Sequence, residues 1–350
     1  MGSLWVLTCL LAAGICVAGC DASVTSNKES QIPPPPNSGE TALIDYWSRV
    51  VRTSESAQDR AVAHMRRGDE YLNRGDIELA FGDFAQAVTL SPKLSGAYWG
   101  RGEAYRQMGR IDDAIAEFST AIELDPSEPG LYLDRSSTYL AKGNAVQGIA
   151  DLDSAIRIAP QTPAGYRLRC SAYTSEEQYD SAVKDCDEAI RLEPRYGDAY
   201  MTRAYLYSQN GHPDRAFADY DSAVKIFESA HMSPRVLSSA YNSRCYLRAV
   251  VGRAQDAIAD CDHALELRPD YAEALDSRGY SYLKLSQNLR AIQDYDAALK
   301  VNPRLAISLL GRGIAKRRAG NLLEGDADIE SAKSIDRKVV ERMAKVGVGP

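Results

Sequence analysis

From Ala61 to Val339 the chain repeats with a period of 34 residues, and a unit that short cannot bury an apolar face alone. It must stack on copies of itself, so any core it has is shared between neighbours. Blocks beginning at Ala61, Ser95, Pro129, Pro163, Gly197, Ser238, Ala272 and Ala306 align column by column; seven span 34 residues and the fifth spans 41. The fourth column is bulky (His64, Tyr98, Tyr132, Tyr166, Tyr200, Tyr241, Leu275, Leu309), and so in the main is the eleventh, with Tyr71, Tyr105, Tyr139, Tyr173, Tyr207 and Tyr282. The eighth and twentieth columns are small, and the twenty-seventh is Ala throughout. Small columns let two helices approach closely. Near position 32 a proline (Pro92, Pro126, Pro160, Pro194, Pro269, Pro303) ends six of the eight units, because its ring cannot continue the helix behind it. Each unit is therefore expected to be an antiparallel helical hairpin.

This order of an aromatic, Gly, Tyr, Ala, an aromatic, Ala and Pro resembles the tetratricopeptide repeat. The resemblance implies an all-α fold in which eight antiparallel helix hairpins form a right-handed superhelix. The units run 61–94, 95–128, 129–162, 163–196, 197–237, 238–271, 272–305 and 306–339. Unit six departs at Arg248. Unit eight departs at Lys316 and Arg337, as expected of a terminal repeat with one face uncovered. Before the array, residues 41–60 read as a capping helix with Leu43, Ile44, Trp47, Val50 and Val51 on one face. After it, residues 340–350 read as a closing helix and tail, with Val339, Val340 and Met343 suggesting that helix before Gly347.

The amino-terminal segment points to a location. Leu4 to Val17 is an apolar run too short to span a membrane comfortably, and it has the length of a secretory signal's apolar region. Val17-Ala18-Gly19-Cys20 then resembles a bacterial lipobox. That resemblance implies cleavage of residues 1–19, acylation of Cys20, and a stable anchor through several acyl chains. No Lys or Arg precedes the run, a departure from the signal pattern. Residues 20–40, with Pro33-Pro34-Pro35-Pro36, have the composition of an extended tether. The implied location is the cell envelope, facing the periplasm, without a choice between inner and outer membrane. The rival reading is an intracellular scaffold with no lipid anchor.

Four cysteines lie in the array: Cys170 and Cys186 in unit four, Cys245 and Cys261 in unit six, each pair at positions 8 and 24. In a hairpin turning near position 16 those positions face each other. Two disulfides follow, which require an oxidising compartment; the other reading is four small buried hydrophobes. Position 7 is Arg in all eight units and position 23 is always acidic. That pattern predicts a ladder of ion pairs, either within a hairpin or between neighbours.

Catalytic signatures are missing: the sequence holds no phosphate-binding loop, no HExxH and no GxSxG elbow, and its four His are scattered among units. No metal site and no cofactor are expected. A net charge of −7 argues against nucleic acid, whose phosphates need a basic stripe. What remains is a surface for a protein or peptide partner, with the membrane reached through the lipid anchor.

In proteins of the resembling family, positions 2, 5, 9 and 12 of the first helix line the concave wall. Here they give two apolar patches: Met65, Trp99, Leu133 and Leu140 in units one to three, and Met201, Tyr205, Tyr246 and Tyr280 further on. Either these are partner anchors, or several of them pack on neighbouring helices. The seven extra residues of unit five, around Phe227 to Leu237, are expected at one edge, between that unit's second helix and the next hairpin.

Overall fold

The computed structural model of the protein describes residues 40–345 together with Gly347 and Gly349. The expected signal at 1–19, the acylated Cys20 and nearly all of the tether at 20–40 lie outside the described residues. Among the described residues there are 18 helices and no strand. The chain divides into two compact units, with the boundary between Leu192 and Glu193.

The first unit opens with α1 (Glu40–Thr53) and continues through four hairpins: α2 (Ala57–Arg74) with α3 (Ile77–Leu90), α4 (Ser95–Gln107) with α5 (Ile111–Leu124), α6 (Pro129–Ala141) with α7 (Ala145–Ile158), and α8 (Pro163–Ser175) with α9 (Tyr179–Leu192). The second holds α10 (Gly197–Gln209) with α11 (Pro213–Ser229), α12 (Pro234–Val250) with α13 (Ala254–Leu267), α14 (Ala272–Lys284) with α15 (Asn288–Val301), α16 (Ala306–Arg318) with α17 (Leu322–Ile335), and α18 (Val339–Lys345). Within each unit the first helix of a hairpin packs on its own second helix, and that second helix packs on the first helix of the next hairpin.

Local chemistry sets these boundaries. The turn inside each hairpin needs one residue in the left-handed region, and Gly75, Gly109, Gly143, Gly211, Gly252 and Gly320 supply it. Glu177 and Ser286 adopt the same conformation at φ 59° and 60° despite carrying a side chain. Between hairpins, the column-four tyrosines tie down the proline-ended turn: Tyr98, Tyr132 and Tyr200 donate to the carbonyls of Pro92, Pro126 and Pro194.

The packing motif that builds the stack sits at position 24. Phe84 is fully buried between its own hairpin's Gly68 and the next hairpin's Gly100, where an added Cβ would lie 2.8 Å and 2.2 Å from the ring. Tyr295 stands in the same relation to Gly279 and Gly311. An aromatic ring thus enters two small positions at once and locks adjacent hairpins.

The array's two ends are covered. α1 buries Trp47 and Val50 against Ala63, and α18 packs on α16 and α17, burying Val339 and Met343. The extra residues of the fifth repeat form no long loop. They lengthen α11 to 17 residues and α12 to 17, where the corresponding helices next in the chain, α13 and α14, have 14 and 13. Phe227, on the extension of α11, is buried against Val224 and Ala240, which explains why helix rather than loop forms.

Candidate partner-docking surface

The inner column at position 5 is only partly open. Met65, Trp99, Leu133 and Met201 are half-buried. Arg167, Asn242, Asp276 and Leu310 are buried at 7%, 8%, 7% and 0% exposure, so half of the column cannot meet a partner without rearrangement.

In the first unit the open residues form a strip. The Met65 thioether reaches across to the next hairpin, where a Cβ on Gly96 would lie 2.8 Å from its sulfur. Trp99 lies on the cluster of Ala121, Ile122 and Leu131, and its indole N–H donates to Asp134 at 2.6 Å. That bond fixes the ring plane. Arg106 grips Glu103 with both Nε and Nη2, at 2.8 Å and 2.5 Å, and Gln107 adds a third donor to the same carboxylate. Burial pushes the Asp134 carboxyl up to about 6, with the Trp99 N–H opposing. Burial likewise pushes Asp69 up to about 7, which Arg66, 4.0 Å away, only partly offsets. An apolar strip rimmed by Asp69, Glu103 and Asp134 suits a partner segment that presents an apolar side chain beside a cationic one.

Not every residue of the expected patches belongs to that strip. Leu140 lies over Gly148 of its own hairpin, where a Cβ would meet it at 2.8 Å, so its main contact is internal. In the second unit, Met201 packs into the clusters around Tyr220 and Phe227. Tyr280 is 2% exposed with its ring centroid 6.1 Å from that of Tyr246, which is 41% exposed. Tyr280 therefore supports Tyr246 from beneath and presents no face of its own; Tyr205 is half-buried. Spacing placed these side chains on the inner face, but neighbour volume decides whether they reach its surface.

The charged columns form the most regular network. In every hairpin the position-7 Arg reaches the position-23 acid of its own second helix, as in Arg135 with Asp151 and Arg169 with Asp185, where Nε and Nη2 take both carboxylate oxygens at 2.7–2.8 Å. The remaining Nη1 turns to position 25 of the preceding hairpin: Arg135 to Ser119, Arg169 to Asp153, Arg244 to Asp221, Arg278 to Asp262 and Arg312 to Asp296. One guanidinium therefore ties a hairpin together and also joins it to its neighbour. For Arg67 that neighbour is α1, through Ser48. Arg101 meets Ala85 at position 25, and its Nε is left buried without a partner. Flanking tyrosines stack on the same guanidiniums, Tyr132 and Tyr139 on Arg135 for instance. Where Tyr gives way at position 11, Arg248 and Lys316 pair with Asp260 and Asp328. The position-25 column went unread in the sequence, although it is polar from Ser119 onward.

Cys170 and Cys186 lie with sulfurs 2.02 Å apart, and Cys245 and Cys261 with sulfurs 1.99 Å apart, compatible with two disulfides. They occupy the two positions at which Gly68 and Phe84 meet elsewhere. Among the described residues no cluster of His, Cys, Asp or Glu could hold a metal ion, and no helix is long and apolar enough to cross a membrane.

Comparison with known families agrees with this geometry. The TPR repeat profile matches residues 102–143, and the tetratricopeptide repeat profile matches 171–231 and 277–325. The chain carries tetratricopeptide repeats. Among solved structures the TPR array resembles a tetratricopeptide repeat protein from Parabacteroides merdae, at 16% identity and TM-score 0.57 over 78% of this chain and 100% of that one. Yeast Tom70 matches at 16% identity and TM-score 0.59, over 87% of this chain and 62% of that one. A chain of the APC/C hetero-tetramer Cut9-Hcn1 matches at 15% identity and TM-score 0.60, over 87% of this chain and 58% of that one. Identities this low bear on the fold alone. No curated protein matches the chain. The TPR fold suggests a scaffold for protein–protein interaction, and TPR proteins are as a rule not enzymes.

Proposed function

We propose that this TPR protein is a membrane-tethered adaptor of the bacterial cell envelope, without catalytic activity, that holds a segment of another protein on the inner face of its first three hairpins. The observation that carries the docking reading is the Met65–Trp99–Leu133 strip. It is the half-open part of the inner column in the first unit, and its central ring is already oriented by Asp134. A ring fixed before binding loses little freedom when a partner covers it. The three carboxylates on its rim favour a segment that pairs an apolar anchor with Lys or Arg. Tyr205 and Tyr246 form a secondary patch in the other unit.

The tethering rests on Val17-Ala18-Gly19-Cys20 and the proline-rich residues that follow. The cysteine pairs support an oxidising location, since sulfurs so placed remain bonded only outside a reducing cytosol. Two experiments test the two halves separately. Metabolic labelling with a palmitate analogue should mark the wild type and not Cys20→Ala; label independent of Cys20, or none, removes the envelope anchor. A photoreactive residue at Trp99 should crosslink a partner in cells, and one at the exposed Val146 should not. Equal adducts from both sites, or no adduct at Trp99, remove the docking strip.

A further inference from the structure

The turns inside the last two hairpins depart from the pattern of the others. Position 18 reads Glu78, Asp112, Val146, Asp180, Asp214 and Gln255 in the first six repeats, then Leu289 and Leu323. Leu289 is 72% exposed, Leu322 57% and Leu323 88%, although a solvent-facing helix start gains nothing from leucine. The turns are joined: Arg318 of one donates to the Leu283 carbonyl at the end of the preceding first helix, 3.4 Å away. Arg290 follows Leu289, and Arg317 and Arg318 precede Leu322 and Leu323, all exposed, while the nearby acids Glu324 and Asp326 are paired with Lys316 and Arg317. Arg317 pairs loosely with Asp326 at 3.2 Å, and Arg290 lies over the Tyr282 ring and donates to Gln287. Charge changes sign here as well. Residues 272–350 hold 14 Lys and Arg against 10 Asp and Glu, whereas the whole chain holds 41 against 48.

Adjacent exposed leucines at a protruding turn, within a cationic rim, match the chemistry of an anionic lipid surface. Leucines enter the boundary between headgroups and acyl chains while guanidiniums meet phosphates. A second copy is the poorer occupant, because an isologous contact would bring the same cations face to face. We propose that the edge formed by Leu289, Leu322 and Leu323 with Arg290, Arg317 and Arg318 docks on membranes rich in anionic phospholipid. It would give the carboxy-terminal unit a membrane contact of its own, independent of any acyl chain on Cys20.

The test is hydrogen exchange on the full chain with phosphatidylglycerol vesicles and, separately, with phosphatidylcholine vesicles. The amino-terminal apolar run can bring the chain to both, so the readout is local. Amides of residues 317–326 should exchange several-fold more slowly on phosphatidylglycerol alone, and Leu322→Glu/Leu323→Glu should abolish that protection. Both leucines are exposed, so the variant should keep the parent's helical circular dichroism, and Arg290→Gln/Arg318→Gln provides a second variant that should weaken protection without touching the leucines. Absence of protection on phosphatidylglycerol overturns the proposal. Equal protection on phosphatidylcholine overturns the anionic requirement, and protection that grows with protein concentration in the absence of lipid shows a second copy in place of a membrane.

Discussion

Replacing Gly100 by Ala tests the packing motif that holds adjacent hairpins together. Helix propensity alone predicts a gain of about 1 kcal/mol, because Gly100 lies inside α4. Packing predicts the opposite. The new methyl would lie 2.2 Å, 2.5 Å and 2.6 Å from three carbons of the Phe84 ring. The ring cannot retreat freely, since the same three carbons already lie 2.8–3.1 Å from where a Cβ on Gly68 would stand, and it is fully buried. Overpacking of this kind costs about 1–3 kcal/mol, so Gly100→Ala should destabilise by about 1 kcal/mol net, once the propensity gain is subtracted. Gly82, inside α3 with nothing near its missing Cβ, is the internal control: Gly82→Ala should stabilise by about 0.5–1 kcal/mol. Urea unfolding followed by circular dichroism reads both, and hydrogen exchange across α3 and α4 shows whether the loss is local, as it should be in an array that does not unfold in one step. Phe84→Leu in the Gly100→Ala background should recover part of the loss, because it removes the ring atoms nearest the new methyl. If Gly100→Ala is as stable as the parent, or moves in the same direction as Gly82→Ala, the ring-between-glycines account is wrong.

Three further outcomes are expected. Reducing the Cys170–Cys186 and Cys245–Cys261 pairs, each spanning a sequence separation of 16, should cost about 3 kcal/mol per bond in the chain-entropy model; a chain whose unfolding is insensitive to reductant refutes the oxidised state. Ser286→Gly should stabilise by about 1 kcal/mol, since Ser286 holds φ 60° in a turn that six other hairpins close with Gly, and no gain in midpoint means the turn is unstrained. Burial of Asp276, whose contact with Ser308 opposes it only in part, raises its carboxyl to about 7, above the unfolded value, so the protonated form is the one the fold favours. Its contribution is fully present in acid and is lost as pH rises through about 7. Asp276→Asn should therefore be more stable than the parent at pH 8 by up to about 4 kcal/mol, with the gap closing towards pH 4, and a gap independent of pH refutes the buried acid.

The repeat made the architecture legible, because period, small columns and prolines each restrict the backbone locally. Arg67 to Arg312 at position 7 and the acids at position 23 could be paired in kind from the sequence, yet only the structure shows that one guanidinium serves two hairpins. The second acceptor is Asp at Asp153, Asp221, Asp262 and Asp296, yet spacing alone does not say that this column turns towards the next hairpin's Arg rather than to solvent. Leu140 and Tyr280 were legible as inner-face residues, but not Leu140's seat over Gly148 of its own hairpin or the burial of Tyr280 beside the Tyr246 ring. The added residues around Phe227 extend two helices because Phe227 is buried, a packing choice that spacing alone does not express.

The burial of individual position-5 residues also sets the limits of the proposed docking strip. A position-5 side chain is free to meet a partner only where its neighbours leave it uncovered. Arg167, Asn242, Asp276 and Leu310 have been drawn into the interior, where Asp276 accepts from Ser308 and Leu310 is wholly enclosed. Each of these closes its stretch of the inner face with contacts inside the chain. Met65 lies where the following hairpin offers Gly96, too small to cover it, and Leu133 borders Gly165, where a Cβ would stand 3.9 Å from it. A bulkier residue at Gly96 would have to displace Met65, so Gly96→Val should abolish Trp99 crosslinking while leaving the exposed Val146 site silent as before. Undiminished crosslinking from that variant would mean that the partner does not use the strip.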